Sequence, residues 1–357
     1  VTLYKALASA ALTLNNYNPL GTSSESGNFE YGKTTNTTTP GASTVTATQI
    51  FFDVNQFKNG DVVYNTSTNP LPSSGVVYGG TSTLGRTTTN NKLTLDGVST
   101  VDKVYGGYTQ SNTGDANNNE IVMKDGASNN AYAYGGWSAN GNAKNNTITL
   151  TGTASTAWSS SIKYYGGFSN NPSADVRTGN TLKVQSKSHL VHNMLNFEKL
   201  QFDLNSGINS GDEMLFVNYA QAGANIFEWS NIKVSGIADW VGGLPSSVNT
   251  PTLMLFRTSY IPLTLNNYSP SLLGTVGDYE FGKSANGTLS GTTMTGVTEI
   301  HLNGNKFQNA IETPTTWATN VHAGISTYGN TTNHNAININ MALTNARAGY
   351  TDAQNGS

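Results

Sequence analysis

The sequence predicts an all-β fold, a parallel β-helix (β-solenoid) wound in coils of roughly 28 residues, and three observations predict it. The first is an aromatic followed by a glycine pair at Tyr78-Gly79-Gly80, Tyr105-Gly106-Gly107, Tyr134-Gly135-Gly136 and Tyr165-Gly166-Gly167, at spacings of 27, 29 and 31. The second is an Asn ahead of an alternating apolar triplet: Asn91 before Leu93-Thr94-Leu95, Asn119 before Ile121-Val122-Met123, Asn146 before Ile148-Thr149-Leu150 and Asn180 before Leu182-Lys183-Val184. The third is composition: 46 Asn, 48 Thr and 38 Gly supply 132 of 357 positions, whereas charged residues make up only 11%. A unit this short cannot bury its apolar face alone, so successive units must stack.

Along the chain, a long period of about 251 residues frames the short one. Leu12-Thr13-Leu14-Asn15-Asn16-Tyr17 recurs as Leu263-Thr264-Leu265-Asn266-Asn267-Tyr268, and Phe29-Glu30-Tyr31-Gly32-Lys33 as Tyr279-Glu280-Phe281-Gly282-Lys283. Asn55-Gln56-Phe57-Lys58-Asn59 recurs as Asn305-Lys306-Phe307-Gln308-Asn309, and Ala348-Gly349-Tyr350-Thr351 echoes Gly106-Gly107-Tyr108-Thr109. Residues 1–252 are therefore read as one long unit, with opening coils at 1–60, short repeats at 61–188 and closing coils at 189–252. Residues 253–357 begin a second unit, all in one continuous solenoid of a longer parent protein. The apolar runs are strand-length and alternating, and Val1–Ala11 is the only fair helix candidate. About thirteen turns, each rising one interstrand distance, would extend on the order of 60 Å. A right-handed winding is expected, although the pattern itself does not set the hand.

Stacked coils give each recurring residue a place in a column. Asn91, Asn119, Asn146 and Asn180 are expected to form a structural ladder at one corner, because an amide carries two donors and an acceptor and Asn tolerates a left-handed turn. The glycine pairs are expected to allow positive φ at a sharp corner and close approach of the next coil. Tyr78, Tyr105, Tyr134 and Tyr165 are expected to form an internal stack. Tyr108, Trp137 and Phe168, each directly after a glycine pair, line up one coil apart and are the candidate binding residues. Such a stripe can stack on sugar rings or anchor a protein, or can simply pack on itself and cover the adjoining loop.

Several kinds of chemistry are disfavoured. The net charge is −3 with no basic cluster, so no nucleic-acid partner is expected. Zero Cys excludes a disulfide scaffold, thiol catalysis and thiolate zinc sites, and fits passage through an oxidising periplasm. No run approaches the roughly 18–20 apolar residues of a membrane-spanning helix; the densest, such as Leu253–Phe256, are strand-length. Val1 carries no initiator Met or leader pattern, so any signal peptide is expected to be removed or to lie outside the chain. A carboxylate active site would draw on Asp96, Asp102 and Asp125, but aligned on the Asn markers Asp96 and Asp125 need not share a column. His189 and His192 are three apart on a strand and face opposite ways, and His322 and His334 have no acidic neighbour. No nucleophile elbow, phosphate loop or calcium repeat occurs, so no metal, cofactor or enzymatic activity is expected.

The unit Val104-Tyr105-Gly106-Gly107-Tyr108-Thr109 through Asn118-Asn119-Glu120-Ile121-Val122, and its successor Ala133–Leu150, resemble the repeats in passenger regions of large bacterial autotransporter proteins (type V secretion). Leu200-Gln201-Phe202-Asp203-Leu204 through Gly211–Val217 is similar to the segment that follows them. The resemblance spans about residues 75–260 and implies a β-helix on a Gram-negative cell surface, extracellular and anchored through an outer-membrane barrel outside this chain. The expected role is a non-enzymatic adhesin or stalk segment that contacts a host or bacterial glycan or protein through many weak sites. Two alternatives stay open: a polysaccharide lyase or hydrolase on the same fold, and a filament or surface-layer subunit that self-associates through solenoid ends or sides.

Overall fold

The computed structural model describes residues 1–7, 10–15, 24–36, 44–65, 68–72, 75–98, 101–110, 114–125, 132–152, 162–218, 225–313 and 321–338. The chain is a β-solenoid of about 8 turns built from parallel stacked sheets. One sheet has seven strands, from Asp61–Asn65 through Lys92–Asp96, Glu120–Lys124, Thr147–Thr151, Thr181–Val184 and Lys199–Asp203 to Ile232–Ser235. A second has five: Val76–Ser82, Lys103–Thr109, Tyr132–Ser138, Lys163–Ser169 and Asn193–Leu195.

Register follows the repeats. Leu93 pairs with Ile121, Ile121 with Ile148, Ile148 with Leu182 and Leu182 with Leu200, so like sits on like about 4.8 Å apart. Each of these is fully buried, as are Leu95, Met123, Leu150, Val184 and Phe202 two residues on. Val77, Val104, Ala133, Tyr164 and Met194 close the core from the facing sheet. Period-two alternation in the triplets is what sends these side chains inward and their neighbours outward.

At the corner, the residue before each ladder position carries the left-handed backbone: Asn90, Asn118 and Asn145 at φ 56°, 57° and 55°, and Gly179 at 72°. None of the glycines in the four pairs has positive φ, which corrects the expectation placed on them. Their role is close approach. A Cβ on Gly107 would lie 2.4 Å from Asn119 Nδ2, and one on Gly106 2.4 Å from the Gly135 carbonyl.

The opening coils 1–60 are not parallel coils, and neither is the counterpart module of the second long unit, so the turns number about eight and not thirteen. Phe29–Thr35 pairs antiparallel with Gln49–Gln56, and its counterpart Tyr279–Ala285 pairs antiparallel with Glu299–Lys306. Thr2–Lys5, within the expected helix, is a strand on the edge of the first of these sheets. The α-helix among the described residues is Ile237–Gly243, entered from Gly236 at φ 72°. The echo at Ala348–Thr351 lies outside the described residues.

Each antiparallel module holds a buried carboxylate that the sequence reading passed over. Glu30 accepts from Asn55 Nδ2 (2.9 Å), Ser82 Oγ (2.7 Å) and the Thr83 amide (2.8 Å). Glu280 repeats this with Asn305, Ser326 and Thr327, and adds Asn330 Nδ2 at 2.6 Å. Burial acts to raise the Glu280 pKa, but the donors outweigh it and hold the carboxyl below its ordinary range. The signal was present in Phe29-Glu30-Tyr31 and Tyr279-Glu280-Phe281, where a charge sits between aromatics in both copies.

His189 is buried, with Ser186 Oγ 2.7 Å from its Nε2, while His192 lies beyond the end of the strand His189–Val191. Burial pushes the His189 imidazole down to about 4, against a smaller opposing pull from Asp125. The unfolded ring gains its proton near pH 6.5, so between about 6.5 and 4 the unfolded chain holds a proton the native chain lacks. Stability is therefore complete above 6.5 and falls with pH, by about 3 kcal/mol at pH 4. Urea midpoints of the native chain and His189→Gln compared between pH 7 and 4.5 should show the native chain losing more; parallel curves would refute the assignment.

Candidate functional site: an aromatic face

The candidate residues Tyr108, Trp137 and Phe168 are in register, Tyr108 opposite Trp137 and Trp137 opposite Phe168. Their rings stack at 4.6 Å and 6.4 Å between centroids, and all three are partly exposed. Thr81 holds the equivalent place one coil earlier, so the column begins at Tyr108.

The tyrosine column lies outside the apolar core, not within it. Tyr78, Tyr105, Tyr134 and Tyr165 stack at 5.2, 5.2 and 4.9 Å on the same outer face, Tyr105 buried by the rings around it and the other three partly exposed, and inward positions belong to their predecessors, such as Val104 and Tyr164. Rings from the two columns meet edge to face, Tyr105 with Tyr108 at 4.9 Å and Tyr165 with Phe168 at 6.0 Å. Strict alternation would put residues three apart on opposite faces. Here both glycines of a pair turn their missing Cβ inward, Gly106 toward Ile121 and Gly107 toward Asn119, which shifts the phase by one residue as a bulge does. Tyr132 and Lys163 extend the face, with Lys163 Nζ 5.0 Å from the Tyr132 ring centre.

Burial, reinforced by neighbouring phenols, raises the Tyr105 hydroxyl well above its usual range and Tyr134 to about 12. The surface is thus a set of neutral, mutually braced rings. Such a surface can stack on apolar faces of sugars or receive a protein side chain.

Beneath it runs the ladder. Asn91, Asn119, Asn146 and Asn180 are all buried. Asn146 Oδ1 accepts from the Asn119 amide (2.9 Å) and Asn119 Nδ2 (3.1 Å), and Asn146 Nδ2 donates to the Ala116 carbonyl (3.0 Å) and Asn180 Oδ1 (3.3 Å). The Asn91–Asn119 step repeats the pattern, and Asn180 Nδ2 ends it on the Ala143, Val176 and Asn196 carbonyls. These side chains serve packing and have no access to a ligand.

Of the acidic candidates, Asp96 pairs in register with Lys124, their charged groups 2.9 Å apart, and Asp125 lies near enough to Lys124 and His189 to act on both; Lys92–Glu120 and Lys183–Asp203 form similar pairs across coils at 3.4 and 2.7 Å. Among the described residues no group of three or more His, Asp or Glu is placed to hold a metal ion, and no helix is long and apolar enough to cross a membrane. No protein-family model, curated protein or solved structure matches the chain.

Proposed function

We propose that this chain is a segment of a non-enzymatic cell-surface adhesin or stalk, exported as a β-solenoid and using its braced aromatic face to contact glycans or proteins of a host or neighbouring cell. The observation that carries the reading is the pairing of a fully satisfied polar ladder inside the corner with partly exposed, neutral rings outside it. The ladder fixes the coil; the rings repeat at coil spacing and offer several equivalent contacts. Repetition of weak contacts on a stiff support gains avidity through geometry. The resemblance to autotransporter passengers supports an extracellular location and outer-membrane anchoring through a region outside these residues.

Trp137→Ala tests this. Loss of the central ring should weaken retention on a glycan or host-cell array by about tenfold, at a folding cost of about 1 kcal/mol for the lost stacking. Retention unchanged at matched stability would remove the face as the contact surface.

A further inference from the structure

The two antiparallel modules are the same structure in different surroundings. In the second, strand Thr252–Thr258 pairs antiparallel with Glu299–Lys306 on one side and parallel with Glu213–Val217 of the closing coil on the other. In the first, strand Thr2–Lys5 makes the matching antiparallel pairing with Gln49–Gln56, and a bulge falls at the same place, Thr2/Tyr4 against Met254/Phe256. Among the described residues nothing pairs with its other edge. The same holds one strand on: Leu263–Asn266 is sandwiched between Ile226–Glu228 and Thr293–Val297, whereas Leu12–Asn15 has Thr44–Ala47 alone.

Side chains repeat the contrast. Leu253, Leu255 and Leu263 are buried, and their counterparts Val1, Leu3 and Leu12 are 84%, 54% and 38% exposed. Lys283 is buried, with its Nζ donating to the Trp229 carbonyl (3.0 Å) and the Ile232 carbonyl and lying 4.0 Å from the Trp229 ring centre; its counterpart Lys33 is exposed. Arg257 makes a two-pronged bond to Glu213 at 2.9 and 2.8 Å, and Lys5 stands in its place. Asn266 Nδ2 donates to Glu228 at 3.1 Å, and Asn15 stands in its place.

We propose that the exposed face of the first module, formed by Thr2–Lys5, Leu12–Asn15 and Lys33, is a docking surface for the closing coil, through Glu213–Val217 and Ile226–Ile232, of another copy of this repeat unit joined head to tail. The occupant is defined by the junction already present in this chain, where the same coil covers the same apolar strands, meets a cation with Glu213 and offers the carbonyls of Trp229 and Ile232 to a lysine. An isolated second chain is a poor source, since its own closing coil is covered by its own second module. Val54 is a mismatch on this face: it stands where Gly304 packs against Pro251 and Phe281, so Tyr31 must take a different ring position from Phe281. The proposal is independent of the surface role.

The test is hydrogen exchange on a protein in which residues 1–252 are placed ahead of the full 357-residue chain, so that Val1 follows Thr252. The peptide spanning that join is unique in mass and reports the docked copy of Val1–Leu7. Its amides should exchange at least tenfold more slowly than the same residues in the 357-residue chain, approaching Leu253–Arg257. Leu3→Asp placed after the join should restore fast exchange, while in the 357-residue chain it should leave the unfolding midpoint unchanged. Fast exchange at the join while the peptides holding the Tyr-Gly-Gly strands stay protected in both copies would overturn the proposal. So would a large loss of stability from Leu3→Asp in the 357-residue chain, because Leu3 would then belong to the module's own core.

Discussion

Asn146→Ala is expected to destabilise the solenoid by about 4 kcal/mol, since it strands several buried polar groups at once. The Asn119 backbone N–H loses its acceptor, Asn119 Nδ2 loses one of its two and keeps the Thr88 carbonyl, and the Ala116 carbonyl loses a donor. All lie at a corner closed to water, because Asn119 and Asn146 are 1% and 0% exposed. Asn146→Asp keeps an acceptor but drives an oxygen against the Ala116 carbonyl, so it should also destabilise, more at neutral than at acid pH. Denaturant unfolding of both variants measures this, and a loss below about 1 kcal/mol for the alanine would mean the corner relaxes enough to admit solvent.

Gly136→Ala should cost a similar amount for a different reason. A Cβ there would sit 2.2 Å from the Ala116 carbonyl oxygen and 2.7 Å from Asn146 Nδ2. Neither neighbour can swing aside: Ala116 is held in register with Thr88, and Asn146 is fixed in the ladder. Overpacking typically costs about 1–3 kcal/mol; with backbone as the obstacle the expectation is about 4 kcal/mol, together with lost stacking of Trp137, the next residue. Gly211→Ala is the control, since a Cβ there has no atom within 4 Å and the strain comes from its φ of 87° alone. A midpoint shift at Gly136 no larger than that at Gly211 would show that the coil gives way to admit the methyl, since Gly136 itself has no left-handed φ to relieve.

The coil, its period and its ladder were legible because a parallel solenoid turns sequence spacing directly into spatial stacking: residues 27, 29 or 31 apart become neighbours. The aromatic columns were legible as columns, but the face was misjudged for Tyr78, Tyr105, Tyr134 and Tyr165. Alternation assigns a face only while the pleat is unbroken, and the glycine pair breaks it without changing the residue pattern on either side. The antiparallel modules were hidden for a related reason. Phe29–Thr35 and Gln49–Gln56 carry the same short alternation as the solenoid strands, and alternation does not distinguish parallel from antiparallel partners. The seven-residue helix Ile237–Gly243 is too short to show a 3.6-residue period. Glu30 and Glu280 could have been found, because a carboxylate kept between aromatics in both long copies has to be compensated inside the fold.

The corner ladder also determines how the molecule gives way under load. Its amide bonds and the strand pairing run along the stacking direction, so tension applied between successive coils meets one coil's contacts at a time instead of shearing all of them together. Each coil that peels away pays out roughly 28 residues, a slack of about 95 Å at full extension. A coil stack built this way yields in steps, each releasing one coil while the coils behind it keep their shape.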